Sequence, residues 1–496
     1  MAVDGVDLDD IQGLVRSGYG DLPQASYLLL QVIDRAAAKA WLQKAPVTNA
    51  RFGVHQRTAL HVAVTAPGLC ALGLKEDALA GFSAEFLSGM TGETARSRRL
   101  GDAGPNAPER WAWGWADRVP HVLVMLYATS GQLAAWRNAV TMGDFSAGFH
   151  LQAELGTADE LGREPFGFRD GLSQPLLDWK GKRRPPSDED LEYGNLIAPG
   201  EFILGYGNEY GFRTDRPLLP RSDDPAAILP LAEGQSDLGR NGSYLVMRQL
   251  DQDVRRFWQF LAAQVPADQV VELAEAMVGR RRHSGEPLAE RSRTPIRGVG
   301  SKPDDLKLNR FTFEADPDGL RCPLGAHIRR ANPRNGDMPG GRQGPIRQLL
   351  RLLGLIPGAP RADVIASSRF HRILRRGRPY GDFLDLEAAL APASGPPGTR
   401  GLHFICLNAN IARQFEFIQN AWLSSSKFGG LSEESDPLLG NRLPLAGNSA
   451  TDGFTIQHAN GKHLRVCGLP PFITVRGGAY FFLPGLRAIR YLATLP

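Results

Sequence analysis

The sequence predicts an α+β fold of two halves built on one plan, and three observations carry that expectation. The stretch Ser26–Asp34, opening Ser26-Tyr27-Leu28, is echoed by Ser243–Asp251, opening Ser243-Tyr244-Leu245. Each leads into a helical segment with a tryptophan at an equivalent place, Trp41 and Trp258. A second pair has the same character: His121–Ala128 leads into a helix containing Trp136, and Leu402–Ala409 into one containing Phe417. Short apolar strands followed by helices of roughly 12–15 residues indicate layers of sheet and helix. Two such units per half make a split β-α-β arrangement, repeated once.

Taken along the chain, the first ten residues are acidic and contain no apolar signal core, so the expected location is cytoplasmic. The first half then runs through the two strand-helix units to a Pro- and Gly-rich loop region, 181–240. At 496 residues the chain exceeds one typical core, which makes two domains the natural division. The boundary falls near Gly239 to Gly242, where Gly, Asn and Ser precede the repeated strand, giving domains 1–240 and 241–496. Loops at 284–305 and 333–362 interrupt the second half. In the latter, Leu349, Leu350, Leu352 and Leu353 are expected to form a short amphipathic turn.

Composition excludes several classes. Hydrophobic residues make up 42% and charged residues 22%, ordinary values for a globular protein, and a net charge of +4 does not suggest a nucleic-acid binder. Arg280, Arg281, Arg282, Arg291, Arg293 and Arg297 cluster, but beside Ser284-Gly285-Glu286-Pro287 they read as an exposed, solvated loop. No run of about 18 apolar residues appears, so no membrane span is expected. Cys70, Cys322, Cys406 and Cys467 show no paired spacing and read as reduced, buried thiols.

Two segments carry chemistry. Gly167-Phe168-Arg169-Asp170-Gly171-Leu172-Ser173-Gln174-Pro175 sets one carboxylate between glycines, where the backbone can approach a flat or small ligand closely. An Asp held there suits a general acid or base, although a plain glycine turn with a capping Asp has the same composition. Cys322–Arg334 places His327 before Arg329, Arg330 and Arg334, and Pro333 stops any helix begun there. Imidazole is a good iron ligand, and guanidinium groups suit two carboxylates held in fixed geometry. A haem presents both an iron and a pair of propionates. A satisfied histidine beside solvated arginines is the bland alternative.

Together with Arg372–Gly381, Gln414–Trp422 and Val475–Pro484, these segments closely resemble the dye-decolorizing peroxidase family, in order from about Asp9 to the end of the chain. The resemblance implies two ferredoxin-like domains with antiparallel sheets and peripheral helices, of the dimeric α+β barrel type, and one haem b per chain between sheet and helices. It implies that His327 is the proximal iron ligand; His371, four residues before Arg375, is the competing candidate and is read as a helix-surface or supporting residue. Asp170 would move the peroxide proton, and Arg375 would supply a fixed cation as the O–O bond breaks. Leu402 and Phe404 share one face of their strand by alternation. The resemblance sets that face on the peroxide side, with core packing as the alternative. Arg330 and Arg334 are propionate candidates. Glu416, then Asn410, are the candidate acceptors for the second nitrogen of the proximal imidazole. Tyr380 is the leading relay for electrons from bulky dyes, with Trp258 and Trp422 as alternatives.

The expected activity is peroxide-dependent, one-electron oxidation of phenols, aromatic dyes and similar reductants. The competing reading is a protein for haem storage, transfer or iron release with incidental peroxidase activity, but mere carriage requires neither Asp170 nor Arg375. A pair of haem-free interaction domains is a third reading.

Overall fold

The computed structural model describes residues 5–51, 56–159, 162–180, 195–289, 308–334, 349–350, 353, 355, 367–392, 398–442 and 450–496. In the first half, β1 (Gln24–Val32) runs into α1 (Arg35–Lys44), followed by β2 (Thr58–Val64), β3 (Val122–Ala128), α2 (Leu133–Val140) and β4 (Phe149–Gly156). In the second half, β5 (Ser243–Gln252) runs into α3 (Val254–Ala262), α4 (Val270–Val278) and α5 (His327–Ala331). Then come β6 (Leu374–Arg375), β7 (Arg378–Tyr380), β8 (Gly401–Asn408) and β9 (Ile473–Leu483).

Helix α1 starts where Asp34 accepts from the Ala37 N–H, and it buries Ala38, Trp41 and Leu42. Trp41 donates its indole N–H to the Val140 carbonyl at the end of α2, which ties the two helices of the first half together. The cap of α3 is Asp253, which accepts from the Arg256 N–H, two residues beyond Asp251 because β5 runs on past that position with a bulge at Gln249/Leu250. Trp258 is fully enclosed on α3. After β8 the chain winds with π-helical turns, Ala412–Glu416 and Ile418–Ser424, where an ordinary helix around Phe417 was expected.

Both halves have the same strand order. The sheet reads β6-β8-β5-β9-β2-β3-β1-β4, with β7 also paired to β8. Counted within each half, this is 4-1-3-2 on both sides, the ferredoxin-like order, with every pairing antiparallel. The halves join edge to edge through β9 and β2 at Phe482 and Val64, so each half covers one open edge of the other.

Register decides which side chains meet. Leu402 of β8 lies opposite Leu250 of β5, and Phe404 opposite Arg248. Leu250 in turn lies opposite Val475 of β9, and Gln252 opposite Ile473. Directly paired residues project from the same face. These seven therefore form one patch, and the helical layer with α5 packs above it. The alternate residue, His403, is buried on the reverse face and stacks on Tyr380 with ring centroids 4.3 Å apart.

The insertion 333–362 lies largely outside the described residues. Leu349 and Leu353, which fall within them, are exposed. Among the described residues, no helix is long and apolar enough to cross a membrane.

Candidate active site

A cavity of about 450 Å³ opens between that sheet patch and the helical layer. Its size lies in the range of cofactor sites, about 300–1,000 Å³. Asp170, Arg375, His327, Arg334, Leu402 and Phe404 all line it.

Asp170 is delivered by a loop that glycine makes possible. Gly167 and Gly171 have φ of +94° and +80°, a region that side chains disfavour, and a Cβ on Gly167 would lie 2.6 Å from the Arg282 guanidinium. The loop closes on itself through Glu164 N–H to the Phe168 carbonyl (2.9 Å) and Gly167 N–H to the Glu164 carbonyl (2.8 Å). Phe168 lies parallel to the Trp258 ring, anchoring the loop to α3.

Arg375 on β6 donates to Asp170 Oδ1 at 3.2 Å. Its backbone is clamped by the side chain of Gln174, which accepts from the Arg375 N–H (3.0 Å) and donates to the Arg375 carbonyl (3.1 Å). One amide thus locks the two motifs together although they lie about 200 residues apart in sequence. Burial alone would raise the Asp170 carboxyl. The charge and hydrogen bond of Arg375, the Gly171 N–H and the nearby His327 outweigh it and hold Asp170 below the usual carboxylate range.

His327 opens α5, and its Nδ1 lies 2.9 Å from Asp436 Oδ2. Asp436 is completely buried, and its other oxygen accepts the N–H groups of Leu438 (2.9 Å) and Leu439 (2.8 Å). A carboxylate in that position makes Nδ1 the donor and leaves Nε2 with the ring lone pair. Burial opposes a charged imidazole, but the charge and hydrogen bond of Asp436 raise His327 above its ordinary value.

The donor set suits a haem. Among the described residues, no group of three or more His, Cys, Asp or Glu side chains could hold a metal by itself. An imidazole backed by a carboxylate at a wide cavity would suit an iron whose other ligands come from a macrocycle. Ile328, Ala331, Ile418 and Leu439 offer apolar contact on the α5 side, and Leu250 and Val475 on the sheet side. Arg334 at the wall can meet carboxylates.

No protein-family model matches the sequence. The dye-decolorizing peroxidase msp1 of Mycetinis scorodonius is 30% identical, over 98% of this chain and 87% of the relative. The chain belongs to the dye-decolorizing peroxidase family. The multifunctional dye peroxidase DyP2 of Amycolatopsis is 29% identical, over 87% of this chain and 82% of its own length. The crystal structure of a fungal DyP-type peroxidase from Auricularia auricula-judae superposes with a TM-score of 0.70 at 24% identity, covering 99% of both chains. As a dye-decolorizing peroxidase the chain is a haem peroxidase, an oxidoreductase acting on peroxide.

Several expectations for this peroxidase need correction. Arg330 does not reach the cavity. It is fully buried and donates to the carbonyls of Trp422, Ser425 and Glu434, holding the segments around α5. Arg334 does line the cavity, while also donating to the Asn309 and Phe311 carbonyls. Glu416 is not the partner of the imidazole. It pairs with Arg96 at 2.9 Å and accepts from the Tyr480 hydroxyl at 2.9 Å. Asn410 accepts from the Arg413 N–H, capping the π-helical segment. Asp436 holds the position instead. The only signal for it is an acid before proline in Glu433-Glu434-Ser435-Asp436-Pro437.

The arginine cluster is not a solvated loop where it is described. Arg280 and Arg282 are buried, and Arg280 lines the cavity, donating to Ser173 Oγ and to the carbonyls of Gly285 and Leu308. Arg281 is exposed, and Arg291, Arg293 and Arg297 lie outside the described residues. Of the four thiols, Cys322 and Cys406 are buried and Cys70 and Cys467 exposed, all unbridged. His371 lines the cavity wall, stacked on Phe417 at 3.7 Å with Nδ1 against the Arg413 carbonyl. Burial pushes it down to about 4. Tyr380 is buried, and its hydroxyl bonds to Asp251.

Proposed function

We propose that this protein reduces hydrogen peroxide on one haem b per chain and oxidises phenols, aromatic dyes and similar reductants in one-electron steps. The carrying observation is that the pair Asp170 and Arg375, and His327 backed by the buried Asp436, meet at one cavity, the first with the sheet and the second with α5. His327 Nε2 would hold the iron, with Asp436 fixing the tautomer. Arg334 would hold a propionate. When bound, the haem supplies an iron centre that takes two oxidising equivalents from peroxide and returns them singly.

Asp170, kept ionised by Arg375, accepts the proton of the first peroxide oxygen and passes it to the second. Arg375 stays charged throughout and offsets the negative charge that grows on the departing oxygen. Leu402 and Phe404, which line the cavity, are read as narrowing its peroxide side so that peroxide enters and bulky dyes do not. The names of the relatives, dye peroxidases among them, support the reductant class. We read the chain as two domains, 1–240 with Asp170 and 241–496 with His327 and Arg375. The repeated strand order on either side of Gly239–Gly242 supports that division.

His327→Ala tests the assignment. The variant is expected to lose stable haem binding, or to hold haem weakly with an altered absorption spectrum. A native spectrum with full turnover would remove His327 as the ligand.

A further inference from the structure

Three carboxyls line the cavity: Asp170, Asp102, which is paired with Arg248, and Glu164, which the reaction as described leaves without a role. Its oxygens accept from the Phe166 N–H (3.0 Å), the Phe168 N–H (2.9 Å) and Gln252 Nε2 (2.8 Å). These bonds tie the Asp170 loop to β5. Neutral donors hold this carboxylate, and among the described residues no cation is bonded to it. The charged groups that face it are Asp170 on its own loop and Arg282 from the segment after α4, the latter seated over the Trp258 ring.

We propose that Glu164 is the proton store of this active site, carrying as a neutral acid a proton that Asp170 cannot hold. This rests on the reading of Asp170 as the proton-moving base. Reducing peroxide to two waters breaks the O–O bond and takes up two electrons and two protons. The aromatic reductants supply the electrons. Asp170 moves a proton already on peroxide but, ionised beside Arg375, brings none of its own. Glu164 gives a proton to an oxygen that leaves as water, is reprotonated from solvent, and delivers the second proton in the same way.

Asp170 and Glu164 are driven apart by their surroundings. Arg375 keeps Asp170 ionised. Enclosure, reinforced by the charge of Asp170, pushes Glu164 up to about 7 despite its three N–H donors. Two carboxyls set apart in this way are suited to separate acid and base roles.

The test combines infrared titration with the pH dependence of peroxide reduction. The haem-loaded wild type is expected to show a protonated-carboxyl C=O band that titrates near neutrality, and a rate that falls through the same interval as pH rises. Glu164→Gln should lack the band, lose the neutral limb and run about 10²-fold slower in acid. Glu164→Asp should restore a band and a limb, both displaced. A wild type without the band overturns the proposal. So does a Glu164→Gln variant that is slowed equally at every pH with the limb intact, the result of a merely structural role. If Glu164→Gln does not fold, the wild-type band and the Glu164→Asp limb decide. Asp170→Asn separates the two readings. A wild-type rate in that variant refutes the role of Asp170, while the Glu164 band stands or falls by itself.

Discussion

Replacing Asp436 by Asn tests the proximal assembly most sharply, because it changes one group and almost no volume. Asn Oδ1 can still accept the Leu438 and Leu439 N–H groups that Asp436 Oδ1 now takes at 2.9 and 2.8 Å. The amide nitrogen then faces His327 Nδ1, where Oδ2 now lies 2.9 Å away. A donor facing a donor repels, so the imidazole is driven to the tautomer with hydrogen on Nε2. That nitrogen then has no lone pair for iron. Disrupting the acceptor behind a ligating histidine typically costs about 10–100-fold in metal affinity, equivalent to about 1.4–2.7 kcal/mol. The assay is transfer of haem from the loaded enzyme to an excess of apo-myoglobin, followed by absorbance, with Asp436→Glu as control. Faster haem loss and a shifted spectrum are expected. Wild-type retention and an unchanged spectrum would refute the tautomer argument, and the assignment of His327 as ligand would then rest on His327→Ala alone.

Asp170→Asn and Arg375→Leu are expected to keep haem but react with peroxide about 10²–10⁴-fold more slowly in stopped flow; wild-type rates in both would remove them from the mechanism. The base works only when ionised, and Asp170 is depressed, so wild-type reaction should persist into acid and fail only as pH falls through that lowered value. In Arg375→Leu burial is opposed only by the Gly171 N–H and His327, so the acid limb should move to higher pH; an unmoved limb would contradict Arg375 as the main cause of the depression. Gln174→Ala deletes both clamping bonds to the Arg375 backbone, and a rate loss of about 10–100-fold with an unchanged haem spectrum is expected. Equal rates would show that β6 positions Arg375 unaided. Tyr380→Phe should selectively lower turnover of a bulky dye but not of a small phenol, since the Tyr380 hydroxyl already has Asp251 as proton acceptor. Unchanged dye turnover would eliminate Tyr380 as the relay.

What the sequence determined by itself was whatever is encoded in short contiguous runs. The echo of Ser26–Asp34 in Ser243–Asp251 made the doubled plan legible, because strand and helix periodicities are local. Asp170, His327, Arg375, Leu402 and Phe404 could be grouped because their motifs resemble those of a known family, and they do line one cavity. Tertiary structure decided the partnerships, because these join residues with no pattern in common. Asp436 reaches His327 across 109 positions, and no residue near Glu416 in the chain signals its bonds to Arg96 and Tyr480. The fate of each arginine was also a tertiary matter. A guanidinium can be buried wherever the fold aims carbonyls at it, as Arg330 and Arg280 are, and carbonyl direction is written in no side chain. Edge joining of β9 to β2 depends likewise on two strands far apart in the chain, and their backbone groups are paired only once both halves have formed.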